Sequence, residues 1–89
     1  MAAMNPAELI GTAREQVSAL TGLKTETVSS LSRDGDDRWV VRVEALELTR
    51  VPRTMDVLGS YEITLSDDGD LVGFRRLRRY HRASTEDEG

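Results

Sequence analysis

The sequence contains no cysteine. That excludes a disulfide framework, thiol catalysis and cysteine-ligated zinc. Its one histidine, His81, cannot build a metal site that needs several imidazoles. No apolar run approaches the ~20 residues of a membrane-spanning helix. No basic segment followed by an apolar stretch opens the chain, so no signal peptide is evident and a cytoplasmic protein is expected. Aromatic residues are scarce: Trp39, Tyr61, Phe74 and Tyr80 are the only four. A core must therefore be built mainly from Val, Leu, Ile and Ala.

What is present fits one small soluble domain. The chain has 89 residues, of which 38% are hydrophobic and 31% charged. Chains of this size bury a modest core and are marginally stable. The expected organisation is a flexible N-terminus at 1–4, one domain at 5–82 and a disordered acidic tail at 83–89. The net charge of −4 hides an asymmetry. Residues 1–74 hold seven Lys or Arg against thirteen Asp or Glu, which is −6. Residues 75–82 add five arginines and no acid, and 83–89 add three acids.

The pattern predicts an α+β fold: an N-terminal amphipathic helix packed on a four-stranded antiparallel meander (α-β-β-β-β). Asn5 as cap, Pro6 at the first helical position and Glu8 three residues after the cap mark the helix start. Ile10, Ala13, Val17 and Leu20, with Leu9 alongside, give an apolar stripe. Gly22 suits the left-handed residue that ends a helix. Gly11 sits where a close helix contact is expected. The first strand is read at Thr25–Ser32, then a turn at Asp34-Gly35-Asp36-Asp37. The best strand is Trp39–Glu47, with Trp39, Val41, Val43 and Ala45 on one face. Pro52 makes 48–57 a connection, with room for a short helical turn. Leu58–Ser66 resumes with Tyr61, Ile63 and Leu65 inward. Asp67-Asp68-Gly69-Asp70 turns the chain into a last strand from Leu71 to about Tyr80. The facing of that strand is ambiguous unless a bulge lies near Arg75 or Arg76.

Candidate chemistry is sparse. The two acidic turns lack the ligand spacing of a calcium loop and read as solvated hairpin turns. Glu44, Glu47, Asp56 and Glu62 could supply paired carboxylates for acid–base work. Cross-strand ion pairs, with Arg42, Arg75 or Arg76 facing Glu44 and Glu62, explain them more simply. A pocket lined by Glu44, Glu62 and Tyr61 would argue for an enzyme; otherwise no catalytic residue, metal site or cofactor is expected. His81 is read as exposed. The run Arg75-Arg76-Leu77-Arg78-Arg79-Tyr80-His81-Arg82 admits three readings. It can be an RNA-binding strip using phosphate contacts and stacking. It can be an edge strand guarded by arginine. It can also be a docking strip for an acidic protein.

Taken together, residues 39–82 resemble the gas vesicle protein O family. The resemblance rests on Trp39 opening the central strand and on Glu44-Ala45-Leu46-Glu47-Leu48-Thr49-Arg50-Val51-Pro52. It continues through Thr54-Met55-Asp56-Val57-Leu58-Gly59-Ser60-Tyr61-Glu62, the Gly69 turn, Gly73-Phe74 and Arg79-Tyr80-His81-Arg82. It implies a non-enzymatic accessory protein for forming gas vesicles, the gas-filled, protein-walled buoyancy compartments of bacteria and archaea. Its implied partners are other gas vesicle proteins, shell and accessory; nucleic acid, through the arginine strip, is the alternative partner, and no membrane is expected. It implies no catalytic residues and no cofactor. The candidate partner-binding residues are Arg50, Pro52 and Arg53 in the connection, and Arg75, Arg76, Arg78, Arg79, Tyr80 and Arg82 in the strip. An exposed strand edge could add a partner's strand. Oligomeric state cannot be read from the sequence.

Overall fold

The computed structural model describes residues 5–85. Helix α1 (Pro6–Thr21) precedes strands β1 (Lys24–Arg33), β2 (Arg38–Leu48), β3 (Val57–Ser66) and β4 (Leu71–His81). Short 3-10 turns occupy Arg53–Met55 and Arg82–Thr85. The strands form one antiparallel sheet in the order β1-β2-β3-β4, so β1 and β4 are its edges. This is the expected α+β meander. The expected flexible segment 1–4, and 86–89 of the expected tail, lie outside the described residues.

The helix begins as its sequence dictates. The Asn5 side chain accepts from the Glu8 N–H, and the Glu8 carboxylate accepts from the Asn5 N–H. Two of the orphan donors of a helix N-terminus are thereby satisfied. At the other end Gly22 adopts φ 73°, which costs a residue without Cβ little, and its N–H closes on Ser18. The buried row is Leu9, Ala13 and Val17, spaced by four. Leu20, expected in that row, is half exposed; Leu23, just past the helix, packs against the core. Gly11 faces open space, so the close approach expected there is not made.

Helix α1 lies across β1, β2 and β3. Its buried row meets Val41, Val43 and Ala45 of β2 and Tyr61, Ile63 and Leu65 of β3. Strand alternation puts these six on one face, as their sequence spacing predicts. Phe74 of β4 stands at the rim of this core, stacked on Tyr61 with ring centroids 5.7 Å apart.

Both edge strands are irregular. Pairing shifts leave Glu26 and Ser29 as extra residues on β1, and Val72 and Leu77 as extra residues on β4. The irregularity at Leu77, directly after Arg76, settles the facing of the last strand. It puts Phe74, Arg76 and Arg79 on the helix face and Arg75, Arg78 and Tyr80 on the other. Bulges also increase local twist. The sheet coils so far that Arg82, just past one edge strand, reaches Glu26 on the opposite edge strand at 2.8 Å.

The two acidic turns lie at one end of the sheet and are joined. The Asp67 N–H donates to the Asp37 carbonyl, and the Trp39 indole N–H donates to Asp67 Oδ1 at 2.9 Å. The Arg33 guanidinium sits 4.5 Å from the Trp39 ring centre and pairs with Asp67.

Candidate functional site

Three carboxylate clusters organise the polar side chains, and each takes up part of the arginine-rich segment or its neighbours. The first is Glu47, on the helix face. Its side chain is only 8% exposed and receives Arg76 and Arg79, each at 3.2 Å. The Tyr61 hydroxyl also donates to it, at 2.5 Å. Glu47 lies over Gly59: a Cβ there would meet the Glu47 carboxylate and the Tyr61 ring. Burial, followed by the Glu47 hydrogen bond, pushes the Tyr61 hydroxyl up to about 12.

The second is Glu44, on the opposite face, where no ion pair among the described residues serves it. The Ser60 hydroxyl donates to both carboxylate oxygens at 2.6 and 2.7 Å, Ser29 donates at 2.8 Å and Tyr80 at 2.6 Å. Glu44 was expected to face an arginine across the sheet, but hydroxyls surround it instead. The reason is register. Glu44 stands beside Ser60 on β3, while Arg42 stands beside Glu62. Burial, with the hydrogen bond to Glu44, raises the Tyr80 hydroxyl well above the usual tyrosine range. The expected pair of Arg75 with Glu62 is present at 2.9 Å on the surface.

The third cluster centres on Asp56, only 3% exposed. Its Oδ1 accepts the Arg50 N–H at 2.8 Å, and its Oδ2 accepts from Arg82 at 3.0 Å. Its carbonyl accepts the Arg82 N–H at 2.8 Å. Arg82 also makes a two-point contact with Glu26, at 3.0 and 2.8 Å. The Arg50 N–H, then burial opposing it and the Arg82 hydrogen bond assisting, hold the Asp56 carboxyl below its ordinary 3.8. The Arg82 hydrogen bond is the main reason the Glu26 carboxyl lies below its ordinary 4.5.

The nine candidate residues thus separate into two groups. Arg50, Pro52, Arg53 and Arg82 gather around Asp56, where the turn Arg53–Met55 meets the turn Arg82–Thr85. Arg75, Arg76, Arg78, Arg79 and Tyr80 run along β4 on alternating faces. Among the described residues Arg78 forms no ion pair; its guanidinium lies 4.7 Å from the Tyr80 ring centre. No described carboxylate forms an ion pair with the Arg50 or Arg53 side chain.

Sequence reasoning did not single out Glu26, Ser29 or Ser60. Their signal is positional and weak, because Glu26 and Ser29 are the bulged residues of β1. Tyr61 lies on the helix face and Glu44 and Glu62 on the other, so these three cannot line one pocket. Among the described residues no pocket opens on the surface and no cluster of three or more acidic or imidazole side chains is placed to hold a metal ion. No helix among them is long and apolar enough to cross a membrane.

The fold and its clusters define a helix-backed α+β meander whose buried carboxylates are held by arginine, serine and tyrosine. The profile of the family described as "Gas vesicle synthesis protein GvpO" matches residues 2–86. The chain belongs to this gas vesicle protein O family, and so to a family that serves gas vesicle formation. It is 45% identical over 82 residues to gas vesicle protein O of Streptomyces sp. (strain CB03234), covering 92% of this chain and 63% of that one. It is 36% identical over 76 residues to gas vesicle protein O of Haloferax mediterranei, covering 85% and 54%. Gas vesicle protein O1 of Halobacterium salinarum is 40% identical over 57 residues, covering 64% and 48%. The chain therefore spans between about half and under two thirds of these relatives' lengths. No solved structure matches it.

Proposed function

We propose that this chain acts in gas vesicle formation as a non-enzymatic adaptor that binds other gas vesicle proteins, shell or accessory, during assembly in the cytoplasm. Shell proteins of a gas-filled compartment are strongly apolar and would aggregate before assembly, so a small factor that shields one partner or bridges two has a physical role. The observation that carries this reading is the convergence at Asp56. It joins the Arg50–Met55 connection to Arg82 at one end of the sheet, and leaves Val51 exposed and Met55 half exposed there.

The RNA reading of the arginine strip has less support. Arg75, Arg76, Arg79 and Arg82 each pair with a carboxylate of this chain. Tyr80, the aromatic that would stack on a base, is covered by Arg78 and held by Glu44. Strand addition at β4 is also disfavoured, because bulges and charged side chains are the usual means of blunting an edge.

The experiment is capture of the tagged protein from cells expressing a complete gas vesicle gene cluster, with and without nuclease. Nuclease-resistant recovery of identified gas vesicle proteins is expected. Recovery of nucleic acid alone would move the assignment to RNA binding.

A further inference from the structure

The exposed large apolar side chains of β4 and of the β2–β3 connection differ in their surroundings. On β4, Leu71 and Val72 are about half exposed, Phe74 is stacked on Tyr61, and of the arginines that follow, Arg75, Arg76 and Arg79 are paired within the chain. Leu48, at the end of β2, and Met55 in the connection are about half exposed, and Val51 between them is 99% exposed. Arg50 and Arg53 flank Val51, and the one buried carboxylate beside them, Asp56, is occupied by Arg82 and a backbone N–H. The connection is not slack: the Met55 N–H closes on the Pro52 carbonyl at 3.0 Å and the Asp56 N–H on Arg53 at 2.9 Å. A fixed loop presenting an uncovered aliphatic side chain loses little conformational freedom on binding.

We infer that residues 48–55 form an interface knob. Its partner is a protein surface with an apolar socket for Val51, rimmed by carboxylates that meet Arg50 and Arg53. Charge complementarity sets the rim: these two guanidiniums make no ion pair with a described carboxylate. The aliphatic character of Leu48, Val51 and Met55 sets the socket, because the knob offers no aromatic face on which a nucleic-acid base would stack. Arginine is enriched among the residues that dominate interface energetics, and such residues cluster in well-packed, desolvated pockets. This inference rests on the proposed adaptor role and names the surface and partner chemistry that role would use.

The test compares five tagged proteins in cells expressing a complete gas vesicle gene cluster: wild type, V51I, V51D, R50E/R53E and R75E/R78E. Identified gas vesicle proteins in each eluate are quantified. All substituted side chains are exposed, and melting temperatures of V51I, V51D and R50E/R53E should stay close to wild type, which checks folding. R75E/R78E also loses the Arg75–Glu62 pair and sets two acids opposite each other, so its folding is checked separately by circular dichroism. Recovery should fall about tenfold in V51D and in R50E/R53E, the scale of losing one interface anchor. It should persist in V51I and in R75E/R78E. Equal recovery by wild type, V51D and R50E/R53E overturns the knob and leaves the adaptor role standing. No recovery by wild type overturns the adaptor role itself. Self-association of the purified chain that V51D abolishes would make the partner a second copy and overturn the assignment to another protein.

Discussion

At Gly59 the absence of a side chain is a requirement of its neighbours. Glu47 lies over this residue to reach Tyr61, Arg76 and Arg79, and an added methyl would meet both the carboxylate and the Tyr61 ring. Gly59→Ala should destabilise the fold by about 1–3 kcal/mol, the usual cost of overpacking. Urea unfolding measures it, and an unchanged midpoint would contradict the geometry. Residues 44 and 47 differ by an odd number on β2 and stand on opposite faces, and Glu47 is the extra residue of a pairing shift between Leu46 and Leu48. What each meets was not legible. Glu44 meets hydroxyls and Glu47 meets arginines because of cross-strand register and of the bulge at Leu77, and local sequence specifies neither strongly.

At the scale of elements, those with local signals were the legible ones. Asn5, Pro6, Glu8 and Gly22 mark α1 because caps are satisfied within a few residues. Asn5→Ala removes the capping box and should cost about 1 kcal/mol. In a domain of this size that lowers the melting temperature by roughly 4–8 °C. A calorimetric scan showing no shift would mean the cap contributes nothing. The alternation in β2 and β3 was equally legible, since one face of each strand is dry. The strands at the edges were harder. β1 and β4 each carry two bulges, and a bulge exchanges the faces of every residue beyond it. Leu20 shows the same limit at a helix end: its spacing fits the stripe, but it lies in the last turn and is half exposed.

At the scale of the whole molecule, coiling of the sheet produced the contact least visible in sequence, Arg82 to Glu26 across 56 residues. It has a consequence in acid. Folding holds the Glu26 and Asp56 carboxyls below their ordinary 4.5 and 3.8. Groups depressed in the folded state contribute fully above their unfolded values, and the contribution is lost as pH falls through the folded ones. Wild-type stability should therefore drop as pH falls below about 4.5. Arg82→Gln should be less stable at neutral pH and should change less between neutral pH and pH ~3. Parallel pH profiles for the two proteins would contradict the role given to Arg82. The same coiling explains why the arginine run, the most conspicuous feature of the sequence, is not the most available one. Its charges are largely met inside the chain, whereas Arg50 and Arg53, beside the exposed Val51, form no ion pair with a described carboxylate.

Position-specific photo-crosslinking tests that account most directly. A photoreactive residue is placed at Val51 in one protein and at Arg75 in another, each expressed with a complete gas vesicle gene cluster. The account predicts a covalent adduct with another gas vesicle protein from position 51 and none from position 75. An adduct from position 75 with none from position 51 would contradict it.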